Sequence, residues 1–279
     1  MINFLFKKIL SSATSKIILA NIIVFVLMII ASLIFGGQKI IELFALTPSM
    51  IVSGKNLWTL ITSMFMHGGI FHLLFNMLSL AFVGLFVEKI IGKKRFVWFY
   101  LIAGLFAGVF FALSAGLFGG SDIGGKLFGV PDISGVGASG AIFGLIGLIA
   151  VLTPKNRVYL IAGPLIAIIL SSVVESVTSN EALITGVMIA ANIYILLSIL
   201  FMFSFNPKKR MIALPLEMPF WILPIVAIVP LVIIGFFVSL PIGNAAHFGG
   251  LLIGLAYGFY LKKKYPRKTA MIARYFSKK

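Results

Sequence analysis

Cysteine is absent from the 279 residues, which excludes disulfide bridges, thiolate nucleophiles and thiolate-bound metals. Carboxylates are nearly as scarce, with seven Asp and Glu against 23 Lys and Arg, and histidine occurs only three times. No acid adjoins any of the three imidazoles, so an HExxH metal helix is excluded, and a Ser-His-Asp triad has no evident third member. Charged residues of either sign make up 11% of the chain, whereas a soluble domain carries about a quarter. What is present in their place is apolar: 61% of the residues are hydrophobic. This composition belongs to a polytopic membrane protein, and the long apolar runs make it an all-α transmembrane helix bundle.

Runs close to the roughly 20 residues that cross a bilayer fall at 17–36, 70–91, 96–118, 139–152, 158–174, 182–203, 219–240 and 244–261, so about eight spans are predicted. The run at 139–152 is short, and the run at 158–174 carries Gly163 and Pro164, which neighbouring helices in a bundle can accommodate. The first run exceeds the apolar core of about 7 to 15 residues found in a secretory signal and is read as a retained span. The net charge of +16 is sorted by loop. Lys93, Lys94 and Arg95, then Lys155 and Arg157, then Lys208, Lys209 and Arg210, fall on the same side as the basic tails 1–16 and 262–279. By the positive-inside rule that side is cytoplasmic, with both termini there and the protein in the cell membrane. The basic excess reads as a topology signal beside anionic headgroups, not as a nucleic-acid site.

Polar groups at membrane depth are costly and point to function. His67, His72 and His247 all stand near the outer ends of predicted spans. In HGGIFHLLFNM (67–77), His72 and Asn76 are four apart and share a helix face. In NAAHFGGLLIGLAYG (244–258), His247 precedes Gly250, Gly254 and Gly258, a stripe of small residues that admits a second backbone. GVGASGAIFGLIG (135–147) places Ser139 at the head of another small-residue face, formed by Gly140, Gly144 and Gly147. Each feature alone is ordinary interhelical packing. Taken together, two glycine-lined helices would carry a hydroxyl and an imidazole, a nucleophile and its base, with unpaired helix N-terminal amides beside Ser139 suited to an oxyanion.

These three stretches, with VEKIIG at 87–92, resemble the HxxxN, GxSG and AHxxGxxxG motifs of the rhomboid intramembrane serine proteases, in that family's order. The resemblance implies that Ser139 is the catalytic nucleophile and His247 its general base, and that His72, Asn76 and the Ser139 amide bind the oxyanion. It implies no cofactor and no metal. The partners would be the lipid bilayer and single-span or multi-span membrane-protein substrates, cut near the outer membrane face, with no nucleic acid involved.

Three departures from the family stand out. Its Trp-Arg pair is Trp58-Thr59 here, its frequent Tyr four residues after the serine is Phe143, and residues 153–243 hold three predicted spans where a six-helix core has one. The expected architecture is accordingly a single rhomboid-like domain over 1–279, a six-helix core plus two additional helices, with the inserted pair within 153–218. Two further functions compete with proteolysis. One is a catalytically inactive rhomboid-like protein that binds membrane clients; the other is a small-solute transporter, which would keep working in Ser139→Ala.

Overall fold

The computed structural model describes residues 11–238 and 243–277. Lys7 and Lys8, the end of the run predicted at 219–240, and Lys278 and Lys279 of the basic tail lie outside the described residues. The helices and strands, in chain order, begin with α1 (Ala13–Phe35), α2 (Gly37–Phe44), α3 (Pro48–Val52), α4 (Thr59–Thr62) and α5 (Ile70–Ile91, with a π-helical stretch at Leu80–Gly84). They continue with α6 (Lys93–Phe118), α7 (Asp122–Phe128), α8 (Ser139–Leu152), β1 (Arg157–Ile161), α9 (Ala162–Val177) and α10 (Glu181–Met202). The last are α11 (Pro207–Arg210), β2 (Pro215–Pro219), α12 (Leu223–Gly235), α13 (Asn244–Lys264) and α14 (Pro266–Ser277).

The chain divides into two compact units, one of residues 1–154 and 243–279, the other of 155–242. In the first unit, α8 is the central element. It packs most extensively against α13 and then against α6, and 12 of its 14 residues are buried. A helix of 14 residues is about 21 Å long, too short for a hydrocarbon core of roughly 30 Å. Its two ends therefore cannot both reach the membrane surfaces.

Glycine sets how closely α8 and α13 approach. A Cβ added at Gly250 would land on the carbonyl oxygen of Gly140, and one at Gly254 on that of Gly144. A Cβ at Gly147 would stand 2.6 Å from the carbonyl oxygen of Leu251. The small-residue faces read from the sequence meet each other, backbone against backbone.

The start of α1 is tied to the end of α5 by a buried carboxylate. Glu88, 8% exposed, accepts from the Ala13 amide at 3.0 Å, the Thr14 amide at 2.8 Å and the Thr14 hydroxyl at 2.7 Å. A carboxylate against the first amides of a helix meets both the orphan donors and the positive end of the dipole. Glu88→Gln keeps the shape but brings an NH2 against donors. A loss of about 3 kcal/mol is expected, since bonds to charged groups contribute roughly 1.5–3 kcal/mol each. Thr14→Val, which removes only the hydroxyl, is expected to cost about 1 kcal/mol. Thermal unfolding in detergent checks both, and equal melting of wild type and Glu88→Gln would remove Glu88 from the account.

The second unit contains α9, α10 and α12. Two of its segments depart from the helices expected at 158–174 and 219–240. Residues 157–161 form a strand paired antiparallel with 215–219, in the register Arg157↔Pro219 to Ile161↔Pro215. Val158, Tyr159 and Ile161 favour extended backbone, and Pro215 and Pro219 have no amide to offer a helix ladder. The helices begin only after these strands, at Ala162 and Leu223. Within this unit α9 packs on α10, and the Tyr194 hydroxyl donates to the Ile212 carbonyl at 2.7 Å.

Candidate active site

Ser139 is the first residue of α8, and the segment that leads to it is held from the side. Gly135 and Leu46 exchange two backbone hydrogen bonds of 3.1 and 2.8 Å, the Thr47 and Ser134 hydroxyls lie 2.8 Å apart, and the Gly137 amide donates to the Ser63 carbonyl at 2.9 Å. Residues 44–66 and 131–137 thus form one hydrogen-bonded wall. Trp58 ties into the same loop through its indole N–H, which donates to the Leu43 carbonyl at 2.8 Å. Thr59, standing where the resembling family has Arg, is fully buried and donates its hydroxyl to the Asn56 carbonyl at 2.7 Å.

His247 lies on the first turn of α13, and its Nε2 is 2.8 Å from the Ser139 Oγ, a hydrogen bond between residues 108 apart in the chain. The Phe143 ring stacks on the imidazole with centroids 4.3 Å apart and planes 12° from parallel. Phe143 is one helical turn after Ser139, so the same helix carries the hydroxyl and the platform for its imidazole partner. Among the described residues, the buried Nδ1 of His247 has no hydrogen-bond partner. The ring is oriented by stacking and by its single bond to Ser139, not by a carboxylate.

His72, near the start of α5, accepts from the Gly68 amide at its Nδ1, at 3.3 Å. A neutral imidazole that accepts at Nδ1 carries its proton on Nε2. That Nε2 and the serine flank Gly137: a Cβ there would stand 2.9 Å from Nε2 and 3.7 Å from the Ser139 Oγ. Gly137, at φ +129, therefore takes a backbone conformation that side chains disfavour and leaves open the space between the two groups.

Asn76 is placed one turn further along α5, 5% exposed, with its side-chain NH2 donating to the His72 carbonyl at 2.9 Å. The shared helix face was legible in the sequence; this commitment to its own helix was not. His67 stands edge-on to His72, ring centroids 5.1 Å apart, and both of its ring nitrogens are buried. Burial, and secondarily the neighbouring His72, holds the His67 imidazole down to about 4, so it is neutral at physiological pH.

A family model described as the rhomboid domain matches residues 54–193 and, in a second overlapping match, 158–264. The chain belongs to the rhomboid family. Among rhomboid relatives, it is 43% identical over 103 residues to RHOMBOID-like protein 1 of Arabidopsis thaliana, covering 37% of this chain and 23% of that protein. It is 32% identical over 120 residues to Rhomboid protease GluP of Bacillus subtilis (strain 168), covering 43% of this chain and 20% of that protein. It is also 31% identical over 106 residues to Inactive RHOMBOID-like protein 8 of Arabidopsis thaliana, covering 38% and 26%. The chain spans less than a third of the length of these curated relatives.

Of the site's neighbours, Ser63 carries no sequence signal, whereas His67 and the space that Gly137 keeps open around the Ser139 hydroxyl are expected from the sequence without their contacts to His72. His67 was noted for its position, but its contact with His72 was not foreseen. Nothing local marked Ser63, because its backbone carbonyl, not its side chain, holds Gly137. The open space that Gly137 leaves beside His72 emerges only when α5 and α8 are brought together.

Proposed function

We propose that this rhomboid is an intramembrane serine endopeptidase that cuts transmembrane segments of other membrane proteins near the outer membrane face, with Ser139 and His247 as a catalytic dyad. The observation that carries the reading is the 2.8 Å bond between Ser139 Oγ and His247 Nε2, made at a helix start where donors converge. His247 takes the proton as Ser139 Oγ attacks the scissile carbonyl. The Ser139 amide, unpaired in the first turn of α8, and the Nε2–H of His72 would donate to the oxyanion. The second N–H of the Asn76 amide is available as a further donor. As the C–N bond breaks, His247 returns the proton to the leaving amine, and the acyl group stays on Ser139. His247 then accepts a proton from water as it attacks the ester carbonyl, and returns that proton to Ser139 Oγ as the ester C–O bond breaks, which frees the new carboxylate and restores both residues.

Substrate helices must unwind locally for this chemistry, because a helical amide is hydrogen-bonded and shielded by side chains. Small or helix-breaking residues near the cut are therefore preferred. The positive charge of both termini and of the basic loops supports a cytoplasmic position for them.

Labelling of the reconstituted protein with a fluorophosphonate tests the dyad. Modification is expected at Ser139 alone, and it should fall on acidification as His247 gains a proton and can no longer accept from the hydroxyl. The sign follows from the base: only the neutral imidazole activates the serine, so labelling is high above the His247 pKa and lost below it. Labelling that is absent at every pH, or that persists unchanged in Ser139→Ala, would favour a client-binding protein without activity.

A further inference from the structure

Away from the serine, a groove of about 400 Å³ opens along the seam of α6 and α13. Trp98, Ile102 and Ile253 form its sides, and the stacked rings of Phe99 and Tyr257, 4.7 Å apart, form part of its lining. Lys94 and Arg95 close one end. Trp98 and Ile102 are at least half exposed, so the groove faces outward from the first unit.

The polar end is cationic beyond its own two residues. Arg95 stands 5.9 Å from the centre of the Tyr265 ring, which Lys264 and Lys268 approach to 5.7 and 5.9 Å. Among the described residues, none of Lys94, Arg95, Lys264 and Lys268 has a carboxylate within ion-pair distance; the two ion pairs are Lys126 with Asp122 and Arg157 with Glu217. From Arg95 to Ile102, α6 rises by about 10 Å, which sets the length of the apolar wall below the charges.

An apolar slot of this length with several uncompensated cations at one end fits an amphiphile with an anionic head. We infer that the α6/α13 groove is a binding site for an anionic phospholipid, with its phosphate at Lys94 and Arg95 and an acyl chain against Trp98, Ile102 and Ile253. Basic pockets at the ends of membrane helices hold such headgroups, and each cation near the surface favours an anionic lipid. The site is independent of the proposed proteolysis. Its occupant would brace α13 against α6 on the stretch that follows His247.

Trp98 supplies the probe. In a protein with Trp58→Phe and Trp221→Phe, it is the remaining tryptophan of the three. Its fluorescence is measured in phosphatidylcholine vesicles containing a minor fraction of brominated-acyl phosphatidylglycerol or brominated-acyl phosphatidylcholine. Quenching per brominated lipid is expected to be roughly 25-fold greater for phosphatidylglycerol, at about fivefold for each of Lys94 and Arg95, and that preference should be lost in Lys94→Gln/Arg95→Gln. Both side chains are exposed, so the variant removes charge without opening the buried core. Lys208→Gln/Lys209→Gln should keep the preference. Equal quenching by the two lipids, or an equal loss in the Lys208 and Lys209 control, overturns the site. Loss of the preference on adding millimolar inorganic phosphate would also overturn it, in favour of a site for free anions.

Discussion

Ser139→Ala is expected to lower cleavage of a labelled single-span substrate in proteoliposomes by roughly 10⁴-fold or more, and His247→Ala to do the same. The hydroxyl and the imidazole form one unit through the 2.8 Å bond. Without His247 the hydroxyl keeps its proton, and without Ser139 there is nothing for the base to activate. The double variant should therefore be no slower than either single one, in contrast to two independent contributions, whose losses would multiply. Each of the two substitutions removes atoms without adding any, and His247 contributes its stacking on Phe143 as well as its base. Ser139→Ala should accordingly melt close to wild type, while His247→Ala gives up some stability. Wild-type cutting by either single variant ends the dyad assignment. Transport that survives in Ser139→Ala would move the protein into a different functional class.

Gly250→Ala is expected to have the next largest effect, although it adds a single methyl group and touches no reacting atom. The new Cβ would land on the Gly140 carbonyl oxygen, a backbone atom that cannot rotate away as a side-chain tip can. The helices must separate, and they separate within one turn of His247 and beside Ser139. A misplacement of about 1 Å in a reacting pair lowers rates roughly 10²-fold, and overpacking of this kind costs about 1–3 kcal/mol. Gly186→Ala is the matched control, because a Cβ at Gly186 in α10 meets nothing within 4 Å. There the exchange removes a flexible residue from a helix interior and should leave stability unchanged or slightly improved. Cleavage and thermal unfolding of the two variants check the contrast. Equal behaviour would mean that glycine at 250 serves the helix and not the contact.

Most of the helices are legible in local signals alone. Six of the eight apolar runs correspond to helices within a few residues, at α1, α5, α6, α8, α10 and α13, because length and hydropathy are properties of a segment. The helices predicted over 158–161 and 219 are strands instead, because prolines and β-branched residues there pair two segments that are more than 50 residues apart; pairing at that distance leaves no periodic trace in either segment. Glu88 was visible as part of VEKIIG, yet its task of receiving the first amides of α1 depends on the far end of another helix. His67 was visible too, but its edge-on contact with the His72 ring was not.

By itself, the sequence determined the solvent of this protein, the positions of most of its helices, its membership of the family through three short motifs, and a chemical inventory with no thiol and few acids. Those follow from residue type and near spacing, which act over a turn or two of helix. Only the tertiary structure decided that Ser139 meets His247 across 108 residues, that Asn76 spends one N–H on its own helix, and that Gly137 leaves room beside His72. Such meetings depend on how near two backbones can come, and that distance is set by carbonyl oxygens and absent side chains on both partners at once.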